Sequence, residues 1–139
     1  MKIFKICSIV LLLSILVSCS EKDQGILINN NSDTYTIEDV SIVQSTAIYY
    51  GDNLLGDSII DTSSSRLFDL EPGAYHVLVI DDYNWVFEVI NVAVVQDQVT
   101  ELVYDGFSLA ARSSARSLIT SETKEKRILE PDGLLINRY

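Results

Sequence analysis

Apolar and polar positions along this chain alternate in short runs, with one longer apolar block, Ile9 to Val17, interrupted only by Ser14, standing ahead of them. The clearest alternation sets Tyr75, Val77 and Val79 against His76, Leu78 and Ile80, and after Asp81-Asp82-Tyr83-Asn84 it resumes with Trp85, Phe87 and Val89 against Val86, Glu88 and Ile90. A period of two in aromatic and β-branched residues predicts strands, and the polar break between the two sets predicts a hairpin. Weaker runs predict further strands at Ile26 to Ile28, Tyr35 to Gln44, Arg66 to Leu70, Val92 to Val94 and Val99 to Tyr104, and Ile48 to Tyr50 is a short apolar run ending at Gly51. In the second of these, Tyr35 and Ile37 fall on one parity and Val40 and Ile42 on the other, so a bulge near Glu38-Asp39 is needed to give one apolar face. Turn chemistry separates the runs. Asn29 to Asp33 is rich in side chains that cap their own backbone, and Glu71-Pro72-Gly73 suits a type II turn. No convincing amphipathic helix lies among them. The pattern predicts an all-β fold, an antiparallel β-sandwich of about seven strands. Its expected centre is Ile28, Ile42, Phe68, Tyr75, Val77, Val79, Trp85, Phe87 and Val99.

The apolar block has a different meaning. It follows Lys2 and Lys5, is shorter than the roughly 20 residues of a spanning helix, and is followed at once by Ser20, Glu21, Lys22 and Asp23. Those are the marks of a cleaved signal. Leu16-Val17-Ser18-Cys19 resembles the lipobox of bacterial lipoproteins, which implies removal of residues 1–18 and acylation of Cys19. Several acyl chains, at about 0.8 kcal/mol per buried methylene, make the anchor that one chain cannot. Residues 19–25 then form the acylated N-terminus and its tether. Cys7 departs with the signal, so no thiol remains for a disulfide, a nucleophile or a cysteine-bound metal. The resemblance also implies a bacterial envelope location, lipid-anchored. Because Ser20 stands where many inner-membrane lipoproteins carry aspartate, the expected destination is the outer membrane.

Charge sharpens the partition. After Cys19 the chain carries 20 acidic side chains and 8 basic ones. Ser20 to Asp105 holds 16 of the acids against Lys22 and Arg66, whereas Gly106 to Tyr139 holds 6 basic side chains against 4 acids. So acidic a body repels polyanions, which argues against nucleic acid and against adsorption to anionic lipid. The sandwich is expected over residues 26–105. Residues 106–139, poor in large apolar side chains, are expected to form a partly ordered appendage whose removal leaves the melting temperature nearly unchanged. Within it, Ile128-Leu129 and Leu134-Leu135-Ile136 around Glu130-Pro131-Asp132-Gly133 suggest a hairpin at 128–136.

Four segments together resemble a group of small exported bacterial domains, often lipoproteins, of uncharacterised function: Ile28-Asn29-Asn30, Tyr50-Gly51-Asp52-Asn53-Leu54-Leu55-Gly56, Phe68-Asp69-Leu70-Glu71-Pro72-Gly73-Ala74-Tyr75 and Val79-Ile80-Asp81-Asp82. The resemblance covers residues 26 to 104 and implies an immunoglobulin-like or transthyretin-like sandwich. It implies no catalytic residues. This chain departs from the group in having Tyr50 where tryptophan is usual and Asp61 to Ser65 in place of a Pro-Gly turn. It also lacks a glycine after Asp81-Asp82, which leaves Asn84 to take the left-handed position.

Candidate chemistry is sparse. Asp52, Asp57, Asp81 and Asp82 have the hard oxygens calcium requires, without the spacing of an EF-hand, and aspartates at turns equally serve as caps. His76, the only histidine, has no nucleophile beside it in sequence and is expected on the outer face or at the margin of its sheet, where Glu88 could share its side as a surface pair. No cofactor is implied and the chain is not expected to be an enzyme. Tyr49, Tyr50 and Tyr83 are the candidate interaction surface, and adjacent Tyr49 and Tyr50 must face opposite ways if they share a strand. The expected role is a membrane-anchored structural or interaction module, bound to the bilayer through acylated Cys19 and meeting another envelope protein or a glycan. The alternative is a small periplasmic domain that binds or hydrolyses a metal, sugar or peptide ligand. Globomycin treatment of expressing cells is expected to accumulate the precursor, and labelled palmitate to enter the parent protein but not Cys19→Ser. Unlabelled parent protein would remove the anchor.

Overall fold

The structure is a computed structural model that describes residues 22–112 and the backbone of 125–126. Residues 1–18, Cys19 and the hairpin expected at 128–136 lie outside the described residues. The described chain is all-β. Its strands are β1 (Gly25–Asn30), β2 (Ile37–Gln44), β3 (Ser64–Asp69), β4 (Gly73–Asp81), β5 (Trp85–Val94), β6 (Val99–Tyr104), β7 (Leu109–Ala111) and the two-residue β8 (Glu125–Lys126). They form two sheets, ordered β3-β1-β6-β7 and β2-β4-β5-β8. One core of Ile26, Ile28, Leu102, Tyr104 and Leu109 from the first sheet and Val40, Val77, Val79, Phe87, Val89, Val92 and Val94 from the second fills the space between them. That is the sandwich the alternation predicts. One pair departs from the antiparallel expectation: β1 and β6 run parallel, from Gly25 opposite Val99 to Asn30 opposite Tyr104. The intervening chain visits the other sheet, so no tight hairpin has to join the two strands.

Two bulges keep the apolar faces aligned. In β2 the register against β4 shifts between Ile37 and Asp39, as the parity of Ile37 and Val40 requires, and both side chains are buried. In β5, Ile90 and Asn91 together stand opposite His76, and Asn91 takes a left-handed φ of 56°. The extra residue returns Val92 and Val94 to the face of Phe87 and Val89. His76 fastens this bulge. Its Nδ1 accepts from the Asn91 amide at 3.2 Å, so Nε2 is left to donate to the Ser45 carbonyl at 3.1 Å. His76 and Glu88 are therefore both buried, and the expected surface pair is corrected.

The burial comes from the long connection between β2 and β3. Tyr50 and Ala47 pack over Leu78, Ile80, Val86 and Ile90 on the outer face of the second sheet, and the Tyr50 hydroxyl donates to Glu88 at 2.7 Å. Further along, Leu54 donates its amide to the Val40 carbonyl, and the Asn53 side chain accepts from the Val40 amide. The edge of β2 is thus capped, while Leu55 and Ile60 turn into the main core. Ile48 to Tyr50 belongs to this cover and is no ladder strand.

Three other expectations need correction. Val99 is 40% exposed, because Leu102 and Tyr104 fix the inward parity of β6. Gly73 lacks the positive φ of a type II turn; it begins β4 opposite Val94, and the corner is held by the Tyr75 hydroxyl donating to the Glu71 carbonyl at 2.8 Å. The glycine that geometry does require is Gly25, at a φ of 136°, where an added Cβ would lie 2.0 Å from the Phe68 carbonyl oxygen. Finally, the first sheet continues past residue 105. β7 pairs with β6 and Leu109 is 2% exposed, a contribution hidden in sequence by its serine and alanine neighbours. Leu109→Ala is expected to cost about 2 to 5 kcal/mol and to lower the melting temperature by roughly 10 °C or more. A transition unchanged in differential scanning calorimetry would return β7 to the status of an appendage.

Candidate functional site

The side chains best placed to meet a partner lie at the end of the sandwich where β1, β4 and β6 finish. Four connections meet there: 31–36, 61–63, 82–84 and 105–108. Their backbones are tied together, Asn31 donating its amide to Tyr104 at 2.7 Å and Asp82 donating its amide to Thr36 at 3.0 Å. Asn30, fully buried, braces them from below: its Nδ2 donates to the carbonyls of Tyr35 and Ile60, and its Oδ1 accepts from Ser32.

Asp81 is the second brace. It is 1% exposed, yet both oxygens are engaged: Oδ1 accepts from the amides of Tyr83 and Trp85, each at 2.9 Å, and Oδ2 accepts from the Tyr104 hydroxyl at 2.7 Å. Its backbone carbonyl accepts from Asn84, which takes the left-handed φ of 61° expected for a turn without glycine. Burial, the hydrogen bond to Asp81, and the charges of Asp81 and Asp82 raise the Tyr104 hydroxyl far above the usual tyrosine range. The phenol stays protonated and donates.

On this foundation stand three rings. Tyr83 meets Tyr35 edge to face with ring centres 5.2 Å apart, and Phe107 meets the other partner of that contact, Tyr35, at 6.5 Å in the same manner. Tyr83 and Phe107 are both largely exposed. Gly106 makes the arrangement possible. It has a φ of 91°, and an added Cβ would come within 2.8 Å of the Tyr35 ring and 3.1 Å of the Ser32 hydroxyl. Asp105 holds the same turn by accepting from the amides of Phe107 and Ser108 and from the Ser108 hydroxyl. Partial burial pushes its carboxyl upward, but those hydrogen bonds outweigh it and hold the group below the usual aspartate range, ionised at neutral pH.

Of the residues picked out in the sequence, Tyr83 belongs to this tip. Tyr49 is exposed but lies on the connection covering the second sheet. Tyr50, 7% exposed and bonded to Glu88, is corrected from surface to core. Burial, then its bond to Glu88 and the charge there, raise its hydroxyl well above the normal range. Asp52 and Asp57 are exposed on the 51–57 stretch, Asp82 is exposed at the tip, and Asp81 is consumed as a brace. The four do not gather, and no group of three or more His, Cys, Asp or Glu side chains poised to hold a metal occurs among the described residues. Tyr35 and Phe107 are hard to pick out from the sequence, because the rings they meet lie dozens of residues away; the Asp105-Gly106-Phe107-Ser108 turn signature is the one local sign. No protein-family model, curated protein or solved structure matches this chain. Tyr104→Phe, which leaves Asp81 Oδ2 without its donor, is expected to lower stability by about 1 to 3 kcal/mol, read as an earlier midpoint in urea titration. An unchanged midpoint would show that the brace contributes nothing.

Proposed function

We propose that this chain is an envelope lipoprotein, anchored through acylated Cys19 at the outer membrane, that acts as an interaction module and presents its aromatic tip to another envelope component. One observation carries the reading: the start of β1 and the aromatic tip lie at opposite ends of the sandwich. At the near end Gln24 donates to the Leu70 carbonyl and accepts from the Asp97 amide, and Gly25 donates to Gln98. β1 then runs directly to Asn30 at the tip, about 17 Å at 3.3 Å per residue. An anchor six residues before Gly25 holds the near end at the bilayer and leaves Tyr35, Tyr83 and Phe107 facing outward. Exposed aromatic side chains on a braced frame are what protein and sugar surfaces recognise, since they bury large area at low entropic cost.

The strand order supports the transthyretin-like over the immunoglobulin-like form of the sandwich. The constant-type immunoglobulin arrangement keeps its first two strands in one sheet. Here β1 and β2 lie in different sheets. A photoreactive phenylalanine analogue at position 83 of the full acylated protein is expected to crosslink a discrete envelope component in living cells, whereas one at position 97 is not. Adducts from position 97 with none from position 83 would reverse the orientation and remove this reading.

A further inference from the structure

We propose that the tip receives a basic polypeptide segment, docking a lysine or arginine side chain on the Tyr35, Tyr83 and Phe107 rings within reach of Asp33, Asp82 and Asp105. The inference rests on the tip being the interaction surface and adds the chemistry of what it takes. The first ground is the state of the rings. Tyr83 is 61% and Phe107 70% exposed, and each meets Tyr35 edge to face at nearly right angles and not in a stack. An aromatic face attracts a cation within about 6 Å of its centre, arginine more often than lysine.

The second ground is charge. The four connections at the tip carry Asp33, Asp61, Asp82 and Asp105 as exposed carboxylates, with buried Asp81 beneath, and contain no Lys, Arg or His. The ion pair found among the described residues, Arg112 with Glu101 at 3.4 Å, lies on the first sheet away from these loops. Asp105 is held ionised by its own turn. Rings and carboxylates on three separate connections, joined through Tyr35 and Thr36, offer more than one cationic contact at once, which suits a segment better than a single small ammonium ion.

Charge complementarity also ranks the occupants. A second copy meeting it tip to tip would bring the same carboxylates and be repelled, and an anionic lipid or polyanion is repelled likewise. A neutral glycan could lie on the rings, but the carboxylates supply acceptors alone and gain less from a hydroxyl than from a cation.

The full acylated protein in discs of zwitterionic lipid is titrated calorimetrically with an acetylated Gly-Arg-Gly-Lys-Gly-Arg amide. The companion titrants are the same peptide with citrulline and acetyl-lysine in place of its cations, and chitotriose. Expected results are binding of the cationic peptide alone, weakened at about 0.5 M salt. Tyr83→Ala, and separately the Asp33→Asn/Asp82→Asn pair, are expected to weaken it by about fivefold or more, while Asp57→Asn changes it little. The carboxamide pair keeps side-chain volume, so a folding defect in one variant does not decide the outcome. Equal weakening by Asp57→Asn would reduce the effect to the general field of the acidic body and overturn the inference. Chitotriose binding lost in Tyr83→Ala, without peptide binding, would give the tip to a glycan. A dimer dispersed by Tyr83→Ala would give it to a second copy. In both of those cases the tip survives as an interaction surface and the basic partner does not; absence of any crosslink from position 83 in cells defeats the tip itself.

Discussion

A carboxylate taken out of water destabilises a fold by several kcal/mol unless its oxygens are fully engaged. Asp81 meets that demand with two amides of its own turn and one hydroxyl from the opposite sheet. The consequences spread outward. Satisfying Oδ1 fixes the path of Tyr83 and Trp85, and satisfying Oδ2 fixes the distance between the end of β4 and the end of β6. Tyr104 can serve only while protonated, and burial beside a carboxylate keeps it so. The aromatic tip is therefore positioned by a polar contact inside the core.

The sheets obey a similar economy of parity. Each bulge inserts one residue and thereby exchanges the faces of all that follow. Without the shift near Ile37 to Asp39, Ile37 and Val40 would face opposite sides; without the one at Ile90 and Asn91, Val92 and Val94 would point away from the core. The imidazole of His76 replaces the ladder partner that the second bulge removes, and the same ring holds Ser45 at the root of the covering connection. A residue that invites a catalytic reading is a structural fastener here.

Those features explain what was legible. The class of fold, the β4–β5 hairpin, the bulge in β2, the left-handed Asn84 and most of the core follow from local parity and turn chemistry, which act within a few residues. Sheet membership, the parallel pairing of β1 with β6 and the inclusion of Leu109 depend on contacts between distant segments. So does the candidate site. Tyr83 was visible because it stands in a polar turn, but Tyr35 read as strand and Phe107 as part of an appendage. Tyr50 looked like surface until the connection carrying it folded over Glu88. The outward placing of Val99 is not legible locally, because a strand of six residues with apolar side chains on both parities does not by itself say which face is inward.

The parallel alignment of β1 and β6 has a mechanical meaning. All six residues of β1 are paired on both sides, with β3 and with β6. A pull applied through the residues before Gly25 and resisted at the far end of the sandwich is directed along β1, not across it. Its hydrogen bonds then bear the load together in shear and do not open one after another like a zip. Under such a load the strand paired on both sides resists as a unit.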